Sequence, residues 1–316
     1  MNNTVFDTLI IVTASDFLRL KDNYQQLIKC MPGQDIIFVG SLELKNAVSE
    51  ADLGTRAKWL NENEIIPFDQ VHQTISNRMS ELLKGNELPR GITGWYYQQF
   101  LKMQYARICQ NRYYMVWDGD TLPCKEFDVF TEEGKSFIDV KSEYHKPYFD
   151  TMARLIPYLS KCIDRSFIAE HMMFECSIMK ELLDEIENNR ELDGNAFWEK
   201  IINAISVEGL QTNSFSEFET YGTYATLKHP DCAVIRHWRS FRYGGYFFRP
   251  QDISESDYEW LARDFHAISF EKGQDVREDL DGTMNNPYYQ NKLTARQMLE
   301  IAQEDFEEGS FIETWD

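Results

Sequence analysis

Two aspartates separated by a single glycine, Asp118-Gly119-Asp120, directly follow the uninterrupted apolar run Tyr113 to Trp117. A run this short and continuous reads as a buried strand, so both carboxylates leave the sheet at one end, where a ligand can approach. Hard oxygen donors at such a place suit Mn²⁺ or Mg²⁺ bridging to a diphosphate. Gly119 permits a tight backbone there. A solvated turn is the plain alternative, and the chain supplies its own control in Asp279-Leu280-Asp281, which lies in polar sequence with no strand before it. Context separates the two matches.

The neighbouring segment adds polar groups. Gln98 and Lys102 stand four apart and Gln99 and Lys102 three apart, so one helix face can present an amide together with a cation able to neutralise a leaving diphosphate. An exposed helix lysine is the commoner fate of such a residue. Arg236-His237-Trp238-Arg239 and Phe241-Arg242-Tyr243 interleave cations with aromatics, a surface that could hold an acceptor through Arg236 and Trp238. An amphipathic strand pair with solvent-facing arginines fits the same pattern.

These residues need a scaffold. Thr8 to Val12 reads as a buried strand, Ser15 or Asp16 as a cap for a helix over Phe17 to Ile28, and Asp35 to Val39 as a second strand closed by Gly40-Ser41. This β-α-β opening builds parallel sheets, and nucleotides bind at the carboxyl ends of their strands. Thr13, Ser15, Gly40 and Ser41 occupy those ends. The spacing predicts helices over 69–85, 94–110, 150–162, 173–189, 194–206 and 256–263, with short strands between 220 and 248 and near Ala267 to Phe270. From Gly273 the sequence turns polar and acidic, with an amphipathic stretch from Thr294 to Phe306. The expected division is one domain over 1–272 and a helical tail over 273–316.

Composition narrows the function. The chain has 316 residues, 43% of them hydrophobic, and a net charge of -20, enough for one large core and repulsive toward nucleic acid. Its six cysteines show no metal-ligand spacing and read as reduced core thiols. No stretch approaches the roughly 20 apolar residues of a membrane span, and the run Leu9 to Val12 is too short for a signal peptide. A cytoplasmic location is expected, with peripheral attachment at the inner membrane face left open.

The run Gly94-Trp95-Tyr96-Tyr97-Gln98-Gln99-Phe100-Leu101-Lys102, then Tyr114-Met115-Val116-Trp117-Asp118-Gly119-Asp120-Thr121, resembles a bacterial family of glycosyltransferase-like proteins associated with surface polysaccharide synthesis. His171-Met172-Met173-Phe174, Ser216 to Gly222 and Ser269-Phe270 extend the likeness over residues 7–272. The resemblance implies an α/β fold of the GT-A type, a Rossmann-like, mostly parallel sheet flanked by helices. It also implies a nucleotide-sugar donor, a UDP-sugar being favoured, and a glycan or lipid-linked glycan acceptor. Asp118 and Asp120 would hold Mn²⁺ or Mg²⁺ and, with Gly119, Gln98, Lys102, Thr13 and Ser15, the donor. His266, ahead of the strand-like Ala267 to Phe270, would be a further metal ligand; His171 competes for that role or would touch the acceptor or the donor sugar. In an inverting enzyme one carboxylate takes the acceptor's proton, and Glu217 is the first choice and Glu219 the second. On a strand both would face one side; a helix cap followed by solvated acids is the alternative.

Two rivals remain. A sugar nucleotidyltransferase would carry a glycine-rich, basic loop after the first strand, and Val12-Thr13-Ala14-Ser15-Asp16 has neither feature. A carbohydrate-binding or scaffold protein that kept the fold without turnover is the other, and Asp118, Asp120, Lys102 and Glu217 together argue instead for an intact site.

Overall fold

The apolar runs are continuous because both faces of their sheet are covered. A computed structural model describes residues 4–302. Among them are the strands β1 (Phe6–Ile11), β2 (Ile36–Gly40), β3 (Ala57–Asn61), β4 (Tyr113–Trp117) and β5 (Thr121–Pro123). Then follow β6 (Ser136–Val140), β7 (His171–Glu175), β8 (Ala233–His237), β9 (Ser240–Phe241) and β10 (Ala267–Ser269). The main sheet has the order β3-β2-β1-β4-β7. Its pairs are parallel except β4 with β7. Two small sheets, β5-β10-β9 and β6-β8, complete the α/β architecture.

Side chains alternate between two cores, as the strand period requires. Leu9, Val39, Tyr114, Val116, Met172 and Phe174 enter one. It is covered by the helices Phe68–Arg78, Arg90–Gln104, Cys176–Glu187, Phe197–Ala204 and Glu217–Lys228. Ile10, Phe38, Tyr113, Met115, Trp117 and Met173 enter the other. There the helices Ala14–Leu20, Tyr24–Cys30, Leu42–Glu50 and Glu255–Leu261 form the cover.

Several expected elements change. The helix over Phe17 to Ile28 is two helices joined by a 3-10 turn at Lys21–Asn23. The break buries Asn23, whose Nδ2 donates to Pro250 O at 2.7 Å and whose Oδ1 accepts from Tyr258 OH at 2.8 Å. Thr13, not Ser15 or Asp16, caps the first piece. Residues 173–175 belong to strand β7 rather than to a helix: a short apolar run fits either period, and pairing with β4 decides. Residues 217–228 are helical, not extended. Ser216 accepts from Glu219 N at the helix start, and Gly222 lets the ring of Phe167 lie where a Cβ would come within 2.3 Å of it.

Among the described residues no helix is long and apolar enough to cross a membrane. All six cysteines are free thiols. Residues 303–316 of the expected tail lie outside the described residues. The part that is described packs on the second core through Met284, Ala295 and Leu299, and Trp260 Nε1 donates to Leu293 O at 2.9 Å. Leu299→Ala should therefore lower the unfolding free energy in urea by about 2–5 kcal/mol, the range for a buried leucine. A change near zero would mean that residues 273–302 are only loosely appended.

Candidate functional site

Chain order reverses between β1 and β4, and such a switch point opens a crevice at the carboxyl ends of the strands. Thr13 after β1, Ser41 after β2, Asn61 at the end of β3 and Asp118 after β4 all line one cleft of about 1140 Å³. Glu170, ahead of the antiparallel β7, joins them, and its carbonyl accepts from Asp118 N at 2.8 Å.

The acidic triplet is fixed from several sides. Thr121 N donates to Asp118 O at 3.1 Å, and Phe270 N donates to Asp120 O at 2.8 Å. Tyr24 OH donates to Gly119 O at 3.2 Å, and the hydroxyls of Thr121 and Ser269 lie 2.7 Å apart. A Cβ on Gly119 would meet the Val12 side chain at 3.0 Å, so the glycine serves a close approach of two chain segments.

Lys102 is buried, with only 4% of its surface exposed. Its Nζ lies 2.8 Å from Asp118 Oδ1 and 2.7 Å from Glu217 Oε1, and 4.4 Å from the centre of the Phe218 ring. Burial alone would lower its pKa, but the two carboxylates outweigh that and raise it, so the ammonium stays charged. Glu217 is raised by burial against the pull of Lys102. Its backbone N–H donates to Gln99 Oε1 at 3.1 Å. Gln98, Thr13 and Ser15 line the same cleft.

Glu219 goes elsewhere. Two positions apart on a helix point to nearly opposite sides, and Glu219 Oε2 accepts from Ser166 Oγ and Phe167 N, both at 2.9 Å. The expectation that Glu217 and Glu219 share a face fails because the segment is helical.

His171, Arg236, Trp238 and His266 come together, but away from the cleft lining. Asp139 accepts from Arg236 Nε and Nη2, each at 2.7 Å, and pairs with His171 Nε2 at 2.9 Å. Trp238 is fully buried and stacks on His266 with ring centres 4.5 Å apart. His266 stands before the end of β10 remote from Asp120: Ala267 pairs with Pro123, whereas Ser269 pairs with Thr121. Burial, helped by Lys125, pushes its pKa down to about 4. The supposed acceptor surface is an internal brace between β6, β7 and β8, since aromatic area and a bidentate ion pair are stable when buried together.

Most other cleft residues carried no sequence signal, Arg242 of the cation–aromatic run excepted. Lys141 Nζ donates to Glu170 Oε1 at 2.7 Å and to Ser240 Oγ at 2.8 Å. Although burial raises the Glu170 carboxyl, Lys141 and Ser240 hold it down at about 2. Arg242 Nη1 donates to Glu143 at 2.7 Å, and its Nε donates to Glu271 at 2.5 Å. Tyr148 and Arg19 also line the cleft. These residues come from separate segments of the chain, and beyond Arg242 only the adjacency of Glu170 to the quoted His171 run could have drawn notice.

The site's central segment matches a known family profile over residues 43–242. The chain belongs to DUF6492, a family of unknown function. The matched region holds the acidic triplet, Lys102, Glu170 and Glu217, while Thr13 and Glu271 fall outside it. No curated protein matches the chain. Solved structures similar to it include mouse xyloside xylosyltransferase 1 in its apo form, at 10% identity and a TM-score of 0.43 over 86% of this chain and 99% of that one. Another is the bifunctional glycosyltransferase WbbM, at 12% identity and a TM-score of 0.42 over 95% of this chain and 52% of that one. A third is the galactosyltransferase LgtC with donor and acceptor sugar analogues, at 12% identity and a TM-score of 0.41 over 87% and 91%.

Burial, then the charges of Asp118 and Glu271, push the Asp120 carboxyl up to about 7. The folded chain thus holds a proton that the unfolded chain gives up nearer pH 4. The stability this proton contributes is complete below the ordinary carboxyl value and is lost as pH rises through about 7. Asp120→Asn should flatten that limb: in EDTA the variant should melt above wild type at pH 8, the two differing least near pH 4. A variant that melts below wild type at pH 8 would contradict the assignment.

Proposed function

We propose that this chain is a nucleotide-sugar-dependent glycosyltransferase that binds its donor as a complex with Mn²⁺ or Mg²⁺. The observation that carries the reading is the meeting of Asp118, Asp120 and Lys102 at the carboxyl ends of parallel strands, in a cleft wide enough for a nucleotide and a sugar.

Among the described residues nine carboxylates and six cationic side chains line this cleft. A diphosphate entering alone meets a net negative wall. The donor set fits a divalent cation of the Mg²⁺ type, which takes one or two carboxylates and completes its shell with substrate phosphates and water. Among the described residues no three His, Cys, Asp or Glu side chains gather to hold a metal without such help. Asp118 and Asp120 would hold the cation, which when bound supplies Lewis-acid stabilisation to the departing diphosphate.

The chain's own residues divide the remaining tasks. Lys102 places a permanent positive charge beside Asp118, where it can stabilise negative charge developing on a leaving group. Thr13, Ser15 and Asn61 stand at the strand ends, where a nucleoside is held by hydroxyl and amide groups. Glu170, kept ionised by Lys141, and Tyr148 face the other half of the cleft and suit sugar hydroxyls. Deep burial of Lys102 and Glu217 keeps water from screening these charges. The family resemblance points to UDP-sugars as donors and to a glycan or lipid-linked glycan as acceptor, in surface polysaccharide synthesis. Residues 1–272 would form the catalytic unit.

Calorimetric titration of UDP- and GDP-sugars tests the reading. Wild type should bind one of them with Mn²⁺ present and at least about tenfold more weakly in EDTA, a difference of ~1.4 kcal/mol. Asp120→Asn should abolish that dependence. Equal affinities for every nucleotide sugar, with and without metal and in both proteins, would overturn the proposal. Glu170→Gln should lower kcat/KM by roughly 10-fold or more while UDP affinity stays near wild type, as expected for a group that touches only the sugar half. An equal loss in UDP affinity would move Glu170 out of that role.

A further inference from the structure

We propose that Lys102 is a transferable counter-charge that makes the site accept a divalent cation together with a diphosphate and resist the cation alone. The inference rests on the function proposed above and extends it to the way the site is filled. Lys102 Nζ has two carboxylate partners, Asp118 at 2.8 Å and Glu217 at 2.7 Å, and its side chain is 5% exposed. A charge this dry needs a partner at every moment. While the ammonium rests on Asp118 Oδ1, a divalent cation approaching that carboxylate meets a like charge a few ångströms away, in surroundings that screen poorly.

An incoming diphosphate changes the balance. Its oxygens offer Lys102 a partner inside the same cleft, and the shift releases Asp118 to the cation. Glu217 makes the exchange possible. It keeps hold of the ammonium on the side away from Asp118, so Lys102 can turn without passing through an unpaired state. The Phe218 ring, 4.4 Å from Nζ, lines the path without competing for hydrogen bonds. Glu217 itself is anchored, since its backbone N–H is held by Gln99 from the helix that carries Lys102. Glu217 is therefore a positioning residue that acts on the cation through Lys102. The same arrangement makes the cation and the diphosphate favour each other's binding, because each relieves a repulsion that the other would meet.

The test is calorimetric titration of MnCl₂ alone, and of UDP with and without Mn²⁺, into wild type, Lys102→Met, Glu217→Gln and the double variant Lys102→Met/Glu217→Gln. The double variant removes one charge of each sign and so guards against misfolding of the single lysine variant; thermal melts establish that each protein is folded. Without nucleotide, Lys102→Met and the double variant should bind Mn²⁺ about tenfold more tightly than wild type. Glu217→Gln should bind it more weakly, because the ammonium then rests on Asp118 alone. The mutual enhancement of Mn²⁺ and UDP seen in wild type should shrink in both lysine variants. Mn²⁺ affinity that is unchanged or lower in the folded lysine variants overturns the inference, whatever UDP does. If wild type fails to bind UDP with Mn²⁺, the proposed function falls, while the comparison with metal alone still decides the role of Lys102.

Discussion

One ammonium bridging two carboxylates, Lys102 between Asp118 and Glu217, ties the end of the main sheet to two of the helices that cover it. Asp118 ends a strand of the main sheet, Lys102 sits on the helix Arg90–Gln104, and Glu217 opens the helix Glu217–Lys228. Removing one partner of such a buried set is strongly destabilising, about 3–5 kcal/mol, because the remaining charges lose their compensation. The surrounding structure is organised to keep the set intact. Gln99 holds the Glu217 backbone. Tyr114 OH donates to the carbonyl of Lys102 at 2.8 Å, and Ser216 caps the helix that delivers Glu217. Each is a local bond whose effect is to fix where a charge lies.

The two aspartates of the triplet live in unlike surroundings although they are one residue apart. Asp118 faces a cation, whereas Asp120 is half-buried with Asp118 and Glu271 as its charged neighbours and is pushed up to about 7. Placing an ionisable carboxyl among like charges costs stability at neutral pH, and nothing in the packing requires it. Natural proteins retain such costs where activity uses them. The nearby ion pairs follow a different logic. Arg236 with Asp139, and Lys141 with Glu170, are oppositely charged pairs. The first braces β6 against β8, whereas Lys141 engages only Glu170 Oε1 and leaves Oε2 at the cleft wall without a partner among the described residues.

Three strands of the main sheet, β1, β2 and β4, were readable in advance because short apolar runs such as Tyr113 to Trp117 end abruptly at turn-forming or acidic residues, whereas β3 was not legible and β7 reads as helix. The acidic triplet was readable for the same reason: its meaning comes from the strand before it. Lys102 could be singled out by its spacing from Gln98, but its burial could not, since a lysine on a mostly apolar helix usually reaches solvent. The failures share one cause. His171, Arg236 and Trp238 look like an acceptor surface and His266 like a metal ligand when only residue types are read, yet His171 and Arg236 close on Asp139 between paired β6 and β8, and Trp238 and His266 stack on each other beside them. Glu217 and Glu219 are separated by a helix that sequence periodicity does not reveal, because its first nine residues are all buried and it has no polar face.

Long-range pairing also explains why half of the cleft was invisible. Glu143, Glu170, Arg242 and Glu271 come from four segments and meet only after β6, β7, β9 and β10 have found their partners. The triplet side is built from the first strands of the main sheet, where chain order and spatial order nearly coincide. The opposite side depends on the two small sheets, whose strands lie far apart in sequence. A nucleotide half set by an early β-α-β unit and a second half assembled late from dispersed loops are a natural basis for separate specificities. The first can stay constant while loop residues such as Glu143, Arg242 and Glu271 vary without disturbing the charge set around Lys102.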